Sequence, residues 1–208
     1  MKPTTTPTRP GSTDVDSNRG ARSGRLPGVE GIWVLIGVDS VVFALLFASF
    51  LDARRSDPGG FDAARQSLNA DLGGVNTLVL LTSSWVVALA IQALRDGVPR
   101  RASRLLILAV GTGSVFVAVK SFEYVDKLVA GTTPATSDFF MWYFVLTGIH
   151  LVHVLLGIGL LVFVVVGVRR GRYGANRLAV PESVATFWHL VDLLWIVIFP
   201  LLYLMRAA

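Results

Sequence analysis

The sequence predicts an all-α integral membrane protein, built as a bundle of five transmembrane helices. Hydrophobic residues make up 53% of the 208-residue chain and charged residues only 16%, whereas a soluble domain carries about 25% charged residues. The apolar residues form five long runs with few charges. Each run is long enough to cross a hydrocarbon layer of roughly 30 Å at about 1.5 Å per residue. One such run could be the core helix of a soluble protein, but five could not.

A polar segment, 1–27, precedes these runs and consists mainly of Thr, Pro, Ser, Gly and Arg. It has too little apolar surface to fold, so we predict a disordered tail on the cytoplasmic side. The tail also lacks the apolar core of a signal peptide. Residues 28–208 then form the membrane domain. We place its spans at 31–52, 73–94, 102–125, 139–168 and 184–205, and we expect Pro200 to kink the last one.

The distribution of Lys and Arg outside the spans predicts the orientation, because cytoplasmic segments near membrane ends retain positive charge. One side of the membrane would carry thirteen basic residues and the other five. The N-terminus is therefore predicted to be cytoplasmic and the C-terminus outside. The thirteen are Lys2, Arg9, Arg19, Arg22, Arg25, Arg95, Arg100, Arg101, Arg104, Arg169, Arg170, Arg172 and Arg177, and the five are Arg54, Arg55, Arg65, Lys127 and Arg206.

The composition also bounds the function. Without cysteine the chain cannot form disulfides, thiolate metal sites, iron–sulfur clusters or c-type haem attachments. Any bound metal would depend on the three histidines and on carboxylates. The net charge of +5 does not indicate nucleic-acid binding, because the basic residues flank apolar runs and are better explained by topology.

Strongly polar side chains nevertheless occur inside all five spans, although each charge at a helix centre costs roughly 2.5 to 3.5 kcal/mol on insertion scales. At about 1.5 Å per residue, Asp39, His153 and Asp192 all fall near mid-membrane. Glu123 lies nearer the outer surface, where its i+4 neighbour Lys127 could partly neutralise it. The set inside the spans is Asp39, Asn76, Thr77, Lys120, Glu123, His150, His153, His189 and Asp192.

These residues are compatible with two kinds of role. One is a buried hydrogen-bonded cluster, in which imidazoles satisfy Asp39 and Asp192 and fix the register of the helices. The other is a proton relay, or a haem or metal site for which His153 and His189 could supply ligands from facing helices. The small hydroxyl residues in 76–85 likewise fit a polar pathway, but favour close packing between helices.

Four blocks, in this order, resemble cytochrome c oxidase subunit III. They are NTLVLLTSSW from Asn76, VKSFEY ending at Tyr124, YFVLTGIHLVHVLLG at 143–157 and ESVATFWHLVDLLWIVIFPLLY at 182–203. The first span, WVLIGVDSVVFALLFASFL, is similar too, with Asp39 where the family commonly carries a glutamate. The resemblance extends over about residues 31–206 and implies the five-span bacterial form of the family.

The resemblance implies a non-catalytic subunit of a haem-copper terminal oxidase in the bacterial plasma membrane. Such a subunit has no redox centre; haem and copper belong to partner subunits I and II, and phospholipids bind between its helices. It supports the stability, turnover and proton uptake of the catalytic subunit. We expect Lys120 to contact a lipid phosphate at the outer surface. The family's polar signature positions, for which we expect structural or lipid-contacting roles, are here Asp39, Glu123, His150, His153, Glu182, His189 and Asp192.

Two alternatives remain open at the level of sequence. The segment 57–84 resembles a branch of the family associated with nitric oxide reductase, for which the chain would be an accessory protein. A stand-alone carrier or haem-binding membrane protein would instead use the central His and Asp residues directly.

Overall fold

The computed structural model describes residues 30–205. In this part of the chain there are six α-helices, one π-helical turn and no strand. The tail 1–27 and Arg206 lie outside the described residues. The helices are α1 (Glu30–Ser56), α2 (Pro58–Arg65), α3 (Ala70–Arg95), α4 (Pro99–Val129), α5 (Asp138–Arg169) and α6 (Ala179–Phe199), and α6 continues into a π-helical turn (Pro200–Leu204).

The five predicted spans are confirmed as helices long and apolar enough to cross a membrane. The observed helices extend beyond most of the predicted ends, but the last one ends at Leu204, one residue before the predicted end. Polar caps set two of their beginnings: Leu72 N–H donates to the Asn69 side chain over 3.0 Å, and Phe140 N–H to the Ser137 hydroxyl over 3.4 Å. Gly97, with φ +71°, follows the end of α3 in a conformation that glycine adopts without steric cost. Pro200 has no N–H to donate, and the regular α-helix of α6 ends just before it.

The short helix α2 was not predicted, because eight residues give no apolar run. It lies in the first loop and contributes one buried residue, Phe61. The Phe61 ring packs against Phe50 at the end of α1 and Phe139 at the start of α5, with centroids 5.7 Å apart in each case. The loop is thereby fixed to the bundle at this end.

Helices α3 to α6 form the compact part of the bundle, and α1 packs on its outside against α5 and α6. Trp188 and Trp195 of α6 are both 0% exposed and occupy the interior with Phe116 of α4. One face of α1 is covered only in part, and its outward apolar residues include Val34, Val38, Val41, Val42 and Leu45.

Two glycines allow α4 and α5 to approach Trp188. A Cβ at Gly157 of α5 would lie 2.6 Å from the indole ring, and one at Gly113 of α4 would lie 2.8 Å from it. Neither distance is compatible with an unshifted side chain. Small residues of this kind let membrane helices pack closely where no hydrophobic effect drives them together.

A Gly157→Ala substitution should therefore lower the free energy of unfolding by about 1–3 kcal/mol, because the added methyl overpacks the contact with Trp188. Gly159→Ala is the matched control, since a Cβ there meets nothing within 4 Å. Thermal unfolding of both variants in mild detergent measures the difference. Equal midpoints for the two would contradict this description of the interface.

Candidate functional site

A buried ion pair lies where α4, α5 and the end of the last span meet. Lys120 Nζ is 3.0 Å from Glu123 Oε2, and the two residues are only 2% and 7% exposed. Lys120 Nζ also donates to the Tyr203 hydroxyl over 2.7 Å. Glu123 Oε1 in turn accepts from the hydroxyls of Tyr143, over 2.8 Å, and Tyr203, over 2.7 Å. We call Lys120, Glu123, Tyr143 and Tyr203 the lysine cluster.

Three aromatic rings surround the ammonium of this cluster. Lys120 Nζ lies 5.2 Å from the ring centroid of Tyr143, 4.9 Å from that of Trp195 and 5.2 Å from that of Tyr203. Cation–π attraction of this kind is worth most where water is excluded. A buried ion pair offsets its desolvation cost only when further hydrogen bonds satisfy both partners, and the lysine cluster supplies those bonds from three helical segments.

Two predictions for this region are wrong. Lys120 does not reach a lipid phosphate, because its side chain is buried and bonded within the chain. Lys127 does not neutralise Glu123; its ammonium donates instead to the backbone oxygen of Ser67, 2.5 Å away in the loop before α3. On a helix, Lys120, three residues before Glu123, and Lys127, four residues after it, could both lie near its carboxylate. Lys120 is the partner because it faces α5 and the end of the last span, where Tyr143 and Tyr203 complete the cluster.

The tyrosines of the cluster were not among the predicted site residues. A tyrosine hydroxyl inside a span needs a polar partner. The positions of Tyr143 and Tyr203 within predicted spans could therefore have indicated them as members of a buried polar cluster. A third tyrosine, Tyr124, follows the same rule, since its hydroxyl lies 2.5 Å from Thr147 Oγ1. Tyr203 is 83 residues from Lys120 along the chain, so spacing alone could not join them.

Asp39 and His153 are brought together as predicted. Asp39 Oδ2 of α1 lies 3.5 Å from His153 Nε2 of α5, a close contact that lacks the geometry of the predicted hydrogen bond. The other ring nitrogen of His153 donates to the backbone oxygen of Ile149 over 2.8 Å. The ring also packs against Phe43 and Phe187. This pair is a polar contact between the middle of α1 and the compact part of the bundle.

The prediction that an imidazole satisfies Asp192 is wrong, because no histidine among the described residues donates a hydrogen bond to its carboxyl oxygens. His150 is 0% exposed and stacks on the Trp195 ring with centroids 5.1 Å apart. Neither ring nitrogen of His150 has a hydrogen-bond partner among the described residues. Asp192 accepts no hydrogen bond of ordinary geometry from them, although Ser84 lies beside its carboxyl. His150 thus contributes aromatic packing, and Phe116 contacts its ring edge-on.

His189 faces α3, where its Nδ1 lies 2.6 Å from the Ser84 hydroxyl. His153 instead faces Asp39 on α1. The two histidines therefore contact different helices and do not form the facing pair that a bis-histidine haem needs. Within residues 30–205, no three His, Asp or Glu side chains converge as metal ligands.

Two hydroxyl groups of α3 bond across to neighbouring helices, as the close-packing interpretation of this segment predicts. Thr77 Oγ1 accepts from the Trp195 indole over 2.9 Å, and Ser83 donates to the backbone oxygen of Ala109 over 2.9 Å. Asn76 of the same face makes a longer contact of 3.5 Å with the backbone oxygen of Phe116.

Arginine side chains connect helix ends at both ends of the bundle. At one end, Arg95 Nε and Nη2 of α3 both donate to Glu182 Oε1 of α6, over 3.0 and 2.7 Å. At the other, Arg54 donates to the backbone oxygen of Met205 over 2.9 Å, and Arg65 to that of Tyr203 over 3.1 Å. These arginines satisfy carbonyls that the end of the last helix leaves without intrahelical partners.

The chain is similar to the third subunits of several bacterial respiratory oxidases. The family model for cytochrome c oxidase subunit III matches residues 30–206. Quinol oxidase subunit 3 of Bacillus subtilis is 27% identical over 94% of this chain and 95% of its own length. Cytochrome c oxidase subunit 3 of Thermostichus vulcanus is 30% identical, with 85% and 87% covered. Cytochrome bo(3) ubiquinol oxidase subunit 3 of Pseudomonas putida is 29% identical, with 85% of each chain covered.

Removing one member of the buried ion pair should lower the free energy of unfolding. Lys120→Met leaves Glu123 buried without its cation, which is expected to destabilise the fold by about 3–5 kcal/mol. Replacing both residues by apolar ones of similar size should restore much of that loss, because no unpaired charge remains. Denaturant or thermal unfolding in detergent measures both effects.

Lys127→Met is the matched control, because it removes a lysine from the same helix outside the lysine cluster and should cost far less. A Lys120→Met variant as stable as Lys127→Met would mean that the buried pair does not fasten the helices.

Proposed function

The chain belongs to the cytochrome c oxidase subunit III family, and from this premise we propose that it serves its oxidase as a non-catalytic subunit that stabilises the catalytic subunit in the membrane. It is subunit III of a haem-copper oxidase in a bacterial respiratory chain and associates with other oxidase subunits. The observation that carries the proposal is the lysine cluster, whose charged and hydroxyl groups bond to one another and connect helices. Such a cluster holds the helices in one arrangement, and its charged groups are bonded to one another and to the tyrosine hydroxyls.

We propose subunits I and II as the partners, with haem and copper bound there. The outward face of α1 supports this assignment, because its exposed Val38, Val41 and Leu45 form an apolar surface that another membrane subunit or lipid would cover. The relatives named above are quinol and cytochrome c oxidase subunits, and nothing in the fold or in the comparisons favours a nitric oxide reductase. We propose that the partners determine the electron donor, and that this subunit supports turnover and proton uptake.

Bound phospholipid is also part of the proposal. A cavity of about 460 Å³ lies between the start of α4 and the end of α5. Arg100, Arg104 and Arg169 line it, and Arg169 Nε donates to Ser103 Oγ over 3.1 Å. Guanidinium groups bind phosphate oxygens with paired hydrogen bonds, so this cavity suits the headgroup of an anionic lipid at the membrane surface.

Extraction of the native chain in mild detergent tests the main proposal. Mass spectrometry of the co-purifying proteins should find subunits I and II, and the assembly should show haem absorbance and consume oxygen. An assembly lacking this chain should keep its haem absorbance, because the proposed subunit carries no redox centre. Recovery with nitric oxide reductase subunits, or as a coloured chain without partners, would contradict the proposal.

The lipid site has its own test. Replacing Arg100 and Arg104 by Gln should reduce the anionic phospholipid retained by the purified complex, because two of the three guanidinium groups at the cavity are lost. Mass spectrometry of extracted lipids measures the retained amount. The matched control replaces Arg170 and Arg172, basic residues just beyond α5 that do not line the cavity. Equal lipid retention in the two double variants would refute the site.

A further inference from the structure

A polar cleft opens between the end of α3 and the start of α6. Its volume is about 580 Å³. Glu182, Thr186 and His189 line the α6 wall at spacings of three and four residues, which places them on one face of that helix. Gln92 and Arg95 line the α3 wall. From Glu182 to His189 the cleft extends roughly 10 Å along α6, at about 1.5 Å per residue, into a segment that can span the membrane.

The inner end of the cleft adjoins a buried carboxyl. His189 Nδ1 lies 2.6 Å from Ser84 Oγ, and Ser84 also neighbours Asp192, which follows His189 by nearly one turn. Asp192 is 3% exposed, yet neither of its oxygens accepts a hydrogen bond of ordinary geometry from a described residue. A carboxyl buried in this way is costly unless something else satisfies it.

Water fits this cleft better than an acyl chain does. A water molecule needs room and two to four polar partners, and Gln92, Thr186 and His189 offer such partners along the walls. The neighbouring residue on α3 shows the contrast: Ser83 is 0% exposed and donates to the backbone oxygen of Ala109. One face of α3 is thus closed against α4, and the adjacent face borders the cleft.

We propose that water fills this cleft from the membrane surface at Arg95 and Glu182 down to Ser84 and hydrates Asp192. Asp192 is then a carboxyl inside the bundle that can exchange its proton with one surface of the membrane. The ligand is water, with the protons that it carries. This inference goes beyond the proposed function, because it concerns a path within this chain and holds for either electron donor.

Single cysteines test the path, since the chain has none of its own. Charged methanethiosulfonates react with the thiolate, so a hydrated cysteine is modified much faster than one in a dry contact or in lipid. Ser84→Cys is the probe at the inner end. Ser83→Cys, closed against α4, and Thr82→Cys, on the outward surface, are matched controls at nearly the same depth. Each substitution replaces a hydroxyl by a thiol, and Thr82→Cys also removes a methyl group.

In the assembled complex in native membranes, we expect Ser84→Cys to be modified at least about tenfold faster than either control. The mass of the isolated subunit measures the extent of modification. The reagent should act from the side that labels Asp96→Cys, in the turn after α3. Adding Ala88→Phe, which places a ring on the cleft wall, should slow the modification of Ser84→Cys by about tenfold.

Modification of Ser84→Cys at the rate of Ser83→Cys would overturn the proposal. Modification that becomes fast only after detergent extraction would also overturn it, because lipid or a partner would then fill the cleft. If Ser84→Cys does not assemble, Thr186→Cys replaces it, with Leu108→Cys on the outward surface of α4 as its control. Equal rates for that second pair would likewise reject a water-filled cleft.

Discussion

The ion pair between Lys120 and Glu123 is the interaction on which the arrangement of the helices most depends. In hydrocarbon a polar group without a partner is expensive, so polar groups inside a bundle must find partners within the protein. The lysine cluster meets this requirement with side chains from α4, α5 and the π-helical turn. Moving any one of these segments along its axis would separate the charges and hydroxyls that bond to one another in this cluster.

Elsewhere in the bundle, polar side chains likewise contact polar groups on other helices. Asp39 and His153 attach α1 to α5, and Thr77 and Trp195 attach α3 to α6. At the far end of the bundle, Arg54 of α1 and Arg65 of α2 donate to backbone carbonyls at the end of the last span. All of these contacts form within the chain itself.

The sequence predicted the features that depend on local pattern. Five apolar runs defined the spans, and depth in the membrane placed Asp39 beside His153. It could not predict α2, which is too short for an apolar pattern, or choose Lys120 over Lys127 as the partner of Glu123. That choice depends on Tyr203, which is distant in the chain and reaches the cluster only when the last span packs. The sequence also could not name Ser84 as the partner of His189, because the face that α6 turns to α3 is set by packing.

The most direct test of this account is the behaviour of Glu123→Gln in the assembled oxidase. Thermal stability and the initial rate of oxygen reduction per haem should be measured on the same preparation. If the lysine cluster holds the helices in place, stability falls while the initial rate per haem remains that of the unmodified enzyme. Unchanged stability with a lost initial rate would contradict the account and assign the cluster a direct part in turnover.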